Sequence, residues 1–168
     1  MNKVKTNKKI HPKTIIGHIH LKVADLDRSV KFYTEILGFE VMTRYGTRAA
    51  FLSAGGYHHH IGLNTWESAG GKEPSEGSTG LYHFAILVPN RKELAKVFQR
   101  LMKYNYPIEG ASDHGVSEAI YLRDPDGNGI EIYADRPRNK WKYDSKGKLV
   151  MYTNRLDKEN LMKELEKK

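Results

Sequence analysis

Leu81-Tyr82-His83-Phe84-Ala85-Ile86-Leu87-Val88 decides how this chain is read, because its pattern has already occurred sixty-five residues earlier, as Gly17-His18-Ile19-His20-Leu21-Lys22-Val23. In each stretch a histidine stands five positions before a valine that closes an apolar run. Both have the alternation and β-branched content of strands, so the chain holds two similar modules. A duplicated sheet can set matching positions of its halves around one cavity. The two histidines then read either as satisfied core side chains or as metal ligands.

Outward from these strands the order of elements repeats. In residues 14–66 the strand is followed by a helix capped by Asp25 or Asp27, with Val30, Tyr33, Ile36 and Leu37 on one face and Gly38 ending it. Strands over 39–44 and 48–53, a turn at Ala54-Gly55-Gly56 and a strand over 57–64 complete the module. Residues 67–79, rich in glycine, serine and charge, form a linker. Residues 80–136 repeat the order: strand 81–88, a helix opened by Asn90 and Glu93 with Leu94, Val97, Phe98, Leu101 and Met102 at helical spacing, then strands near 106–111, 117–123 and 129–134.

Residues 1–13 read as a basic arm that gains order near Ile10. Residues 137–168 read as an extension with a turn at Asp144-Ser145-Lys146-Gly147, a strand over 149–153 and a helix over 157–166, packing on the modules or on a partner subunit. The expected class is α+β: two tandem βαβββ modules forming one paired, curved mixed sheet around a metal cavity, with a C-terminal strand-helix tail.

Composition narrows the chemistry. The chain has 168 residues, enough to bury a core, and no cysteine, which removes disulfides, thiolate zinc sites and cysteine nucleophiles. Any metal must sit on nitrogen and oxygen. The net charge of +8 divides unevenly: residues 1–13 carry five lysines and no acid, 137–168 carry ten basic and five acidic residues, and 14–136 carry thirteen basic and fifteen acidic. The basicity lies in the two ends and reads as solvated, so no nucleic-acid partner is expected. With no apolar run of about eighteen residues and no apolar core behind the basic N-terminus, no membrane partner is expected and the reading is cytoplasmic.

Superposing the modules on their histidines sets Phe51 against Tyr121, Ala54-Gly55-Gly56 against Asp124-Pro125-Asp126-Gly127, and Gly62 against Glu131. Glu131 lies between Ile130 and Ile132 and so faces away from them, either to solvent or into the cavity of His83. His18, His83 and Glu131 together make two histidines and one carboxylate. Such a set leaves open positions on iron(II), and it also suits manganese(II) or zinc(II).

Asp25-Leu26-Asp27-Arg28-Ser29, Phe32-Tyr33 with Leu37-Gly38-Phe39, and Asp124-Pro125-Asp126-Gly127-Asn128-Gly129-Ile130-Glu131 resemble the vicinal oxygen chelate superfamily over residues 15–136. That superfamily includes glyoxalase I, fosfomycin and bleomycin resistance proteins, and extradiol ring-cleaving dioxygenases. His114, Ile120-Tyr121, Asp124-Pro125-Asp126-Gly127 and Glu131 resemble the extradiol signature, with Ser112 its one departure. Segments 14–66 and 80–155 resemble the bacterial catechol-2,3-dioxygenase group.

The resemblance implies that His18, His83 and Glu131 bind a divalent metal, with iron(II) favoured over manganese(II) or zinc(II). It implies that Tyr121 stands near the substrate hydroxyl, with His114 behind it. The acid-base histidine falls within His58-His59-His60. His59 is the best match, although regular strand parity would put His58 and His60 on the face of Gly62. The implied partners are a small aromatic substrate, dioxygen and a second copy of the chain in a homodimer. Two other activities stay open: a glyoxalase-like lyase or isomerase, which the missing carboxylate at Gly62 disfavours, and a metal-free ligand-binding protein of the bleomycin-resistance kind.

Overall fold

In the computed structural model, which describes residues 9–167, each repeat rolls into a sheet of its own. The first sheet contains β1 (Ile19–Lys22), β2 (Glu40–Tyr45), β3 (Ala49–Ser53) and β4 (Ile61–Asn64), in the order β1-β4-β3-β2. The second contains β5 (Phe84–Leu87), β6 (Gly110–Asp113), β7 (Ser117–Arg123), β8 (Gly129–Asp135) and β9 (Asn154–Arg155), in the order β5-β8-β7-β6-β9. In both, the histidine-bearing strand pairs in parallel with the last strand of the repeat. A parallel pair needs a crossover, which α1 (Leu26–Lys31) and α2 (Arg91–Lys103) provide. The α+β class and the repeated order of elements are as expected, with the halves forming two sheets that share a core.

Alternation along the strands decides what each face carries. Leu21, Leu52, Ile61 and Leu63 of the first sheet, and Ile120, Leu122, Ile130 and Ile132 of the second, turn into a common core with Val30, Tyr33, Leu94, Phe98 and Leu101. The intervening positions carry the polar and aromatic side chains of interest. In register they form two equivalent rows, His20–Gly62–Phe51 and Ala85–Glu131–Tyr121.

The loop between β7 and β8 clamps the halves together. The Asp126 carboxylate accepts from the Ala24 amide at 2.9 Å, from Ser29 Oγ at 2.9 Å and from the Arg28 guanidinium. The Tyr33 hydroxyl donates to Asp124 Oδ2 at 2.9 Å, and burial followed by the Asp124 charge pushes its pKa well above the usual tyrosine value. An unsatisfied buried hydroxyl or carboxylate would cost about 1–3 kcal/mol, so the Tyr33–Asp124 pair fixes the relation of α1 to this loop.

Several boundaries differ from the sequence expectation. Asp25 caps α1 by accepting from the Arg28 amide at 3.0 Å, but after Lys31 the helix widens into a π-turn over Phe32–Ile36. The strand expected over 57–64 begins only at Ile61, because Gly55 and Gly56 both have positive φ and the chain from them to His60 is irregular. The strand expected near 106–111 forms at 110–113. In the tail, residues 149–153 make only a bridge from Leu149 to Tyr143, and pairing with β6 occurs further on, in β9.

The terminal helix is α3 (Lys158–Met162), tightened into a 3-10 turn at Lys163–Leu165, with Leu156 and Leu161 buried in the core beside α2. The tail therefore packs on its own chain. Of the basic arm, residues 1–8 lie outside the described residues; Ile10, Ile15 and Ile16 are exposed. Among the described residues no helix is long and apolar enough to cross a membrane.

Candidate metal centre

His83 just before β5, Glu131 of β8, Tyr121 of β7 and His114 just after β6 form one line of polar side chains on the second sheet. His83 Nε2 lies 3.1 Å from Glu131 Oε2, and the Tyr121 hydroxyl lies 3.1 Å from Glu131 Oε1. Tyr121 is also 2.8 Å from His114 Nε2, while His114 Nδ1 is 3.0 Å from the Tyr152 carbonyl oxygen. His83, Tyr121 and His114 border a cavity of about 380 Å³, bounded also by Tyr82, Ser112 and Thr153. Gly129 makes the close approach possible, since a Cβ there would lie 3.0 Å from the His83 Cβ and against the Tyr82 carbonyl.

The line has a definite proton logic. A carbonyl only accepts, so contact with Tyr152 puts the His114 proton on Nδ1. A neutral His114 then competes with Glu131 for the single Tyr121 proton. A protonated His114 instead donates through Nε2 and leaves the Tyr121 hydroxyl to Glu131. Burial, followed by the Glu131 charge, pushes the Tyr121 pKa up to about 12, so the hydroxyl keeps its proton near neutrality.

The first sheet carries a histidine cluster. His18 and His59 have ring centroids 4.3 Å apart, and Phe51 lies edge-on to His59 at 5.1 Å. The His58 and His59 Nδ1 atoms are 2.7 Å apart, whereas His60 Nδ1 turns to Ser53 Oγ at 3.0 Å. His59, and not His60, thus faces His18, because the irregular chain before Ile61 is not bound by strand parity. Desolvation, followed by the charges of His18 and the other neighbouring histidines, lowers the His59 pKa below the usual value.

His83, Glu131, Tyr121 and His114 are therefore brought together on one sheet, and His18 and His59 on the other. The three-residue set of His18, His83 and Glu131 is not assembled within one chain. Among the described residues no group of three histidine, aspartate or glutamate side chains is arranged to hold a metal ion. His83 and Glu131 do fit a divalent ion as two of its ligands, since they offer nitrogen and oxygen donors that converge while remaining partly open, at 32% and 15% side-chain exposure. Glu131 is further oriented by Tyr121, the kind of support that ligating carboxylates receive.

Sequence reasoning missed two contributors. His20 lies on the same face as the open row of the first sheet, against Phe51 at 5.7 Å and Trp66 at 5.6 Å; its spacing of two from His18 was the available clue. The backbone of Tyr152, which orients His114, had none, because it reaches the site through the irregular tail.

Residues 15–132 match the family model described as Glyoxalase/Bleomycin resistance protein/Dioxygenase superfamily. A catechol-2,3-dioxygenase of Bacillus subtilis is 47% identical over 155 residues, covering 92% of this chain and 53% of that protein. A biphenyl-2,3-diol 1,2-dioxygenase of Rhodococcus globerulus is 28% identical over 120 residues, 71% of this chain and 63% of its own length. The chain thus spans about half the length of the Bacillus protein. Among solved structures, a glyoxalase/dioxygenase from Nostoc punctiforme superposes with a TM-score of 0.61 at 23% identity, over 78% of this chain and 99% of that one, a likeness of fold.

Proposed function

Because the chain belongs to the glyoxalase/bleomycin resistance protein/dioxygenase superfamily, we propose that it is a metal-dependent extradiol dioxygenase that opens a catechol-type ring with dioxygen. The observation that carries this reading is the line His83–Glu131–Tyr121–His114, in which an imidazole stands 3.1 Å from a carboxylate that Tyr121 hydrogen-bonds, and Tyr121 is in turn hydrogen-bonded to His114. The likeness to the Bacillus catechol-2,3-dioxygenase favours the same substrate class. The absence of a carboxylate at Gly62 weighs against a four-ligand glyoxalase-type centre.

His18, His83 and Glu131 are the proposed ligands, and iron(II) is the metal that best suits two imidazoles and a carboxylate with open positions. An ion held by these residues would supply Lewis acidity toward a catechol oxygen. The remaining work falls to the chain. A catechol hydroxyl must lose its proton on binding, and His59, neutral near pH 7, accepts it. Tyr121 keeps its own proton, and its one hydrogen bond passes from Glu131 to the substrate oxygen. His114, held by Tyr152, orients the Tyr121 hydroxyl.

A second copy of the chain completes the set. His18 stands beside β1 and His83 beside β5, and each of these strands is the outer strand of its sheet. Exposed apolar residues lie along both: Ile15 and Ile16 before β1, Leu81 and Tyr82 before β5, and Leu87 at its end. Joining β1 of one copy to β5 of another brings His18 to His83 and Glu131 and covers those side chains.

Oxygen uptake by the iron(II)-reconstituted protein over a panel of catechols, with His83→Ala as control, tests the activity. The expected outcome is uptake with a yellow ring-opened product, abolished in the control. Turnover of a hemithioacetal with no uptake from any catechol would overturn it.

A further inference from the structure

The two sheets carry equivalent rows whose large and small members are exchanged. In the second sheet Ala85 stands beside Glu131, and Glu131 beside Tyr121. In the first, His20 stands beside Gly62, and Gly62 beside Phe51. A Cβ built on Gly62 would lie 2.9 Å from His20 Cγ, 3.0 Å from Cδ2 and 3.1 Å from Nδ1. The imidazole thus takes the space that the first atom of any side chain at 62 would need. Gly62 has no positive φ, so its backbone does not call for glycine. The neighbouring ring does. Phe51 and Trp66 both lie against that ring, with centroids 5.7 and 5.6 Å away.

We propose that His20 sets the ligand number of the metal centre: its ring fills the seat that a second carboxylate would take, so the first half contributes His18 alone and leaves positions free for substrate. The inference rests on the reading of His18, His83 and Glu131 as ligands. It makes positions 20 and 62 a coupled pair. A glutamate at 62 beside His20 has its Cβ against the ring. A glutamate at 62 beside alanine at 20 recreates the arrangement of Ala85 and Glu131, with a fourth ligand facing the ion.

The test is a cobalt(II) titration of the metal-free full chain as wild type, G62E, H20A and the double variant H20A/G62E, read by affinity and by the visible spectrum. The double variant should bind on the order of tenfold more tightly than wild type or better, since added ligand charge tightens a site. It should also show a changed cobalt spectrum. G62E alone should gain nothing. An equal gain in G62E, or wild-type affinity in a folded double variant, overturns the inference alone. No cobalt binding by wild type overturns the ligand reading as well.

A thermal melt cycle keeps the steric claim testable without metal. Gly62→Ala should lower Tm by roughly 2–8 °C where His20 is present, the range of a few overpacked contacts, and by much less in the His20→Ala background. Equal losses in the two backgrounds would mean that His20 does not occupy the seat.

Discussion

At position 121 a phenol stands between a carboxylate and an imidazole, and its high pKa keeps it a donor wherever the protein is folded near neutrality. Tyr121→Phe removes one charge-assisted hydrogen bond, about 1.5–3 kcal/mol, while leaving both ligands of the second sheet in place. The expected result is a kcat lower by on the order of ten- to a hundredfold with metal content unchanged, measured by oxygen uptake and metal analysis. His59 yields a second expectation. Desolvation and the charge of His18 disfavour its protonated form, so its imidazole resonances in the metal-free protein should titrate below pH 6.5, by NMR. A midpoint above 6.5 would remove its suitability as a base at pH 7. The alternation about Glu131 was enough to show which way that side chain turns, since Ile130 and Ile132 fix the core side. The same rule failed for His58-His59-His60, because it presumes a regular strand and the strand begins only at Ile61, after the run.

The elements that hold the site in place meet at Glu118 of β7, which is buried between two arginines. Its carboxylate accepts from Arg91 Nε of α2 and, at 2.9 Å, from Arg136 Nη2, which also reaches Asp113 of β6 at 2.8 Å. Arg91 Nη1 continues to Glu164 of the terminal turn at 2.7 Å. Glu118→Ala leaves Arg91 only the carboxylate of Glu164 and Arg136 only that of Asp113, so the lost charge-assisted hydrogen bonds should cost about 1.5–3 kcal/mol in urea unfolding. The outer end of the network is pH-sensitive. Hydrogen bonds from Lys167 and Arg91 hold Glu164 below the usual carboxylate range. A depressed folded pKa means stability that is present above the unfolded value and lost as pH falls through the folded one. Melts between pH 7 and 3 should therefore show wild type losing its advantage over Glu164→Gln at the acid end; parallel curves would contradict this. Helix α2 was legible in its cap at Asn90 and in its apolar spacing, apart from Met102 of that stripe, which is exposed. The attachment of the tail was not: β9 is two residues long, and its pairing with β6 depends on where the chain returns rather than on any local pattern.

The duplication is legible because register is local: two histidines sixty-five residues apart, each at the start of a strand, are followed by the same order of helix, strands and turns. The relation of one sheet to the other is not local. It is set by Asp124 and Asp126 against α1 and by the shared core, and that packing leaves His18 among the histidines of the first sheet, while the β5–β8 pairing joins His83 to Glu131 in the second. If a second copy supplies the missing ligand, the two halves of one centre belong to different chains, and two defective variants can repair each other. His18→Ala and Glu131→Gln each break both centres of their own dimer. In a mixed dimer, His18 of the second variant meets His83 and Glu131 of the first, so one of the two centres is whole. Random exchange makes about half of the dimers mixed, so an equimolar mixture, unfolded and refolded together, should recover about a quarter of wild-type metal binding and oxygen uptake. Centres formed within single chains would recover nothing on mixing. Sedimentation of the same mixture tells a failure to exchange from a failure of the shared site, because dimers that form without regaining metal would exclude ligand sharing.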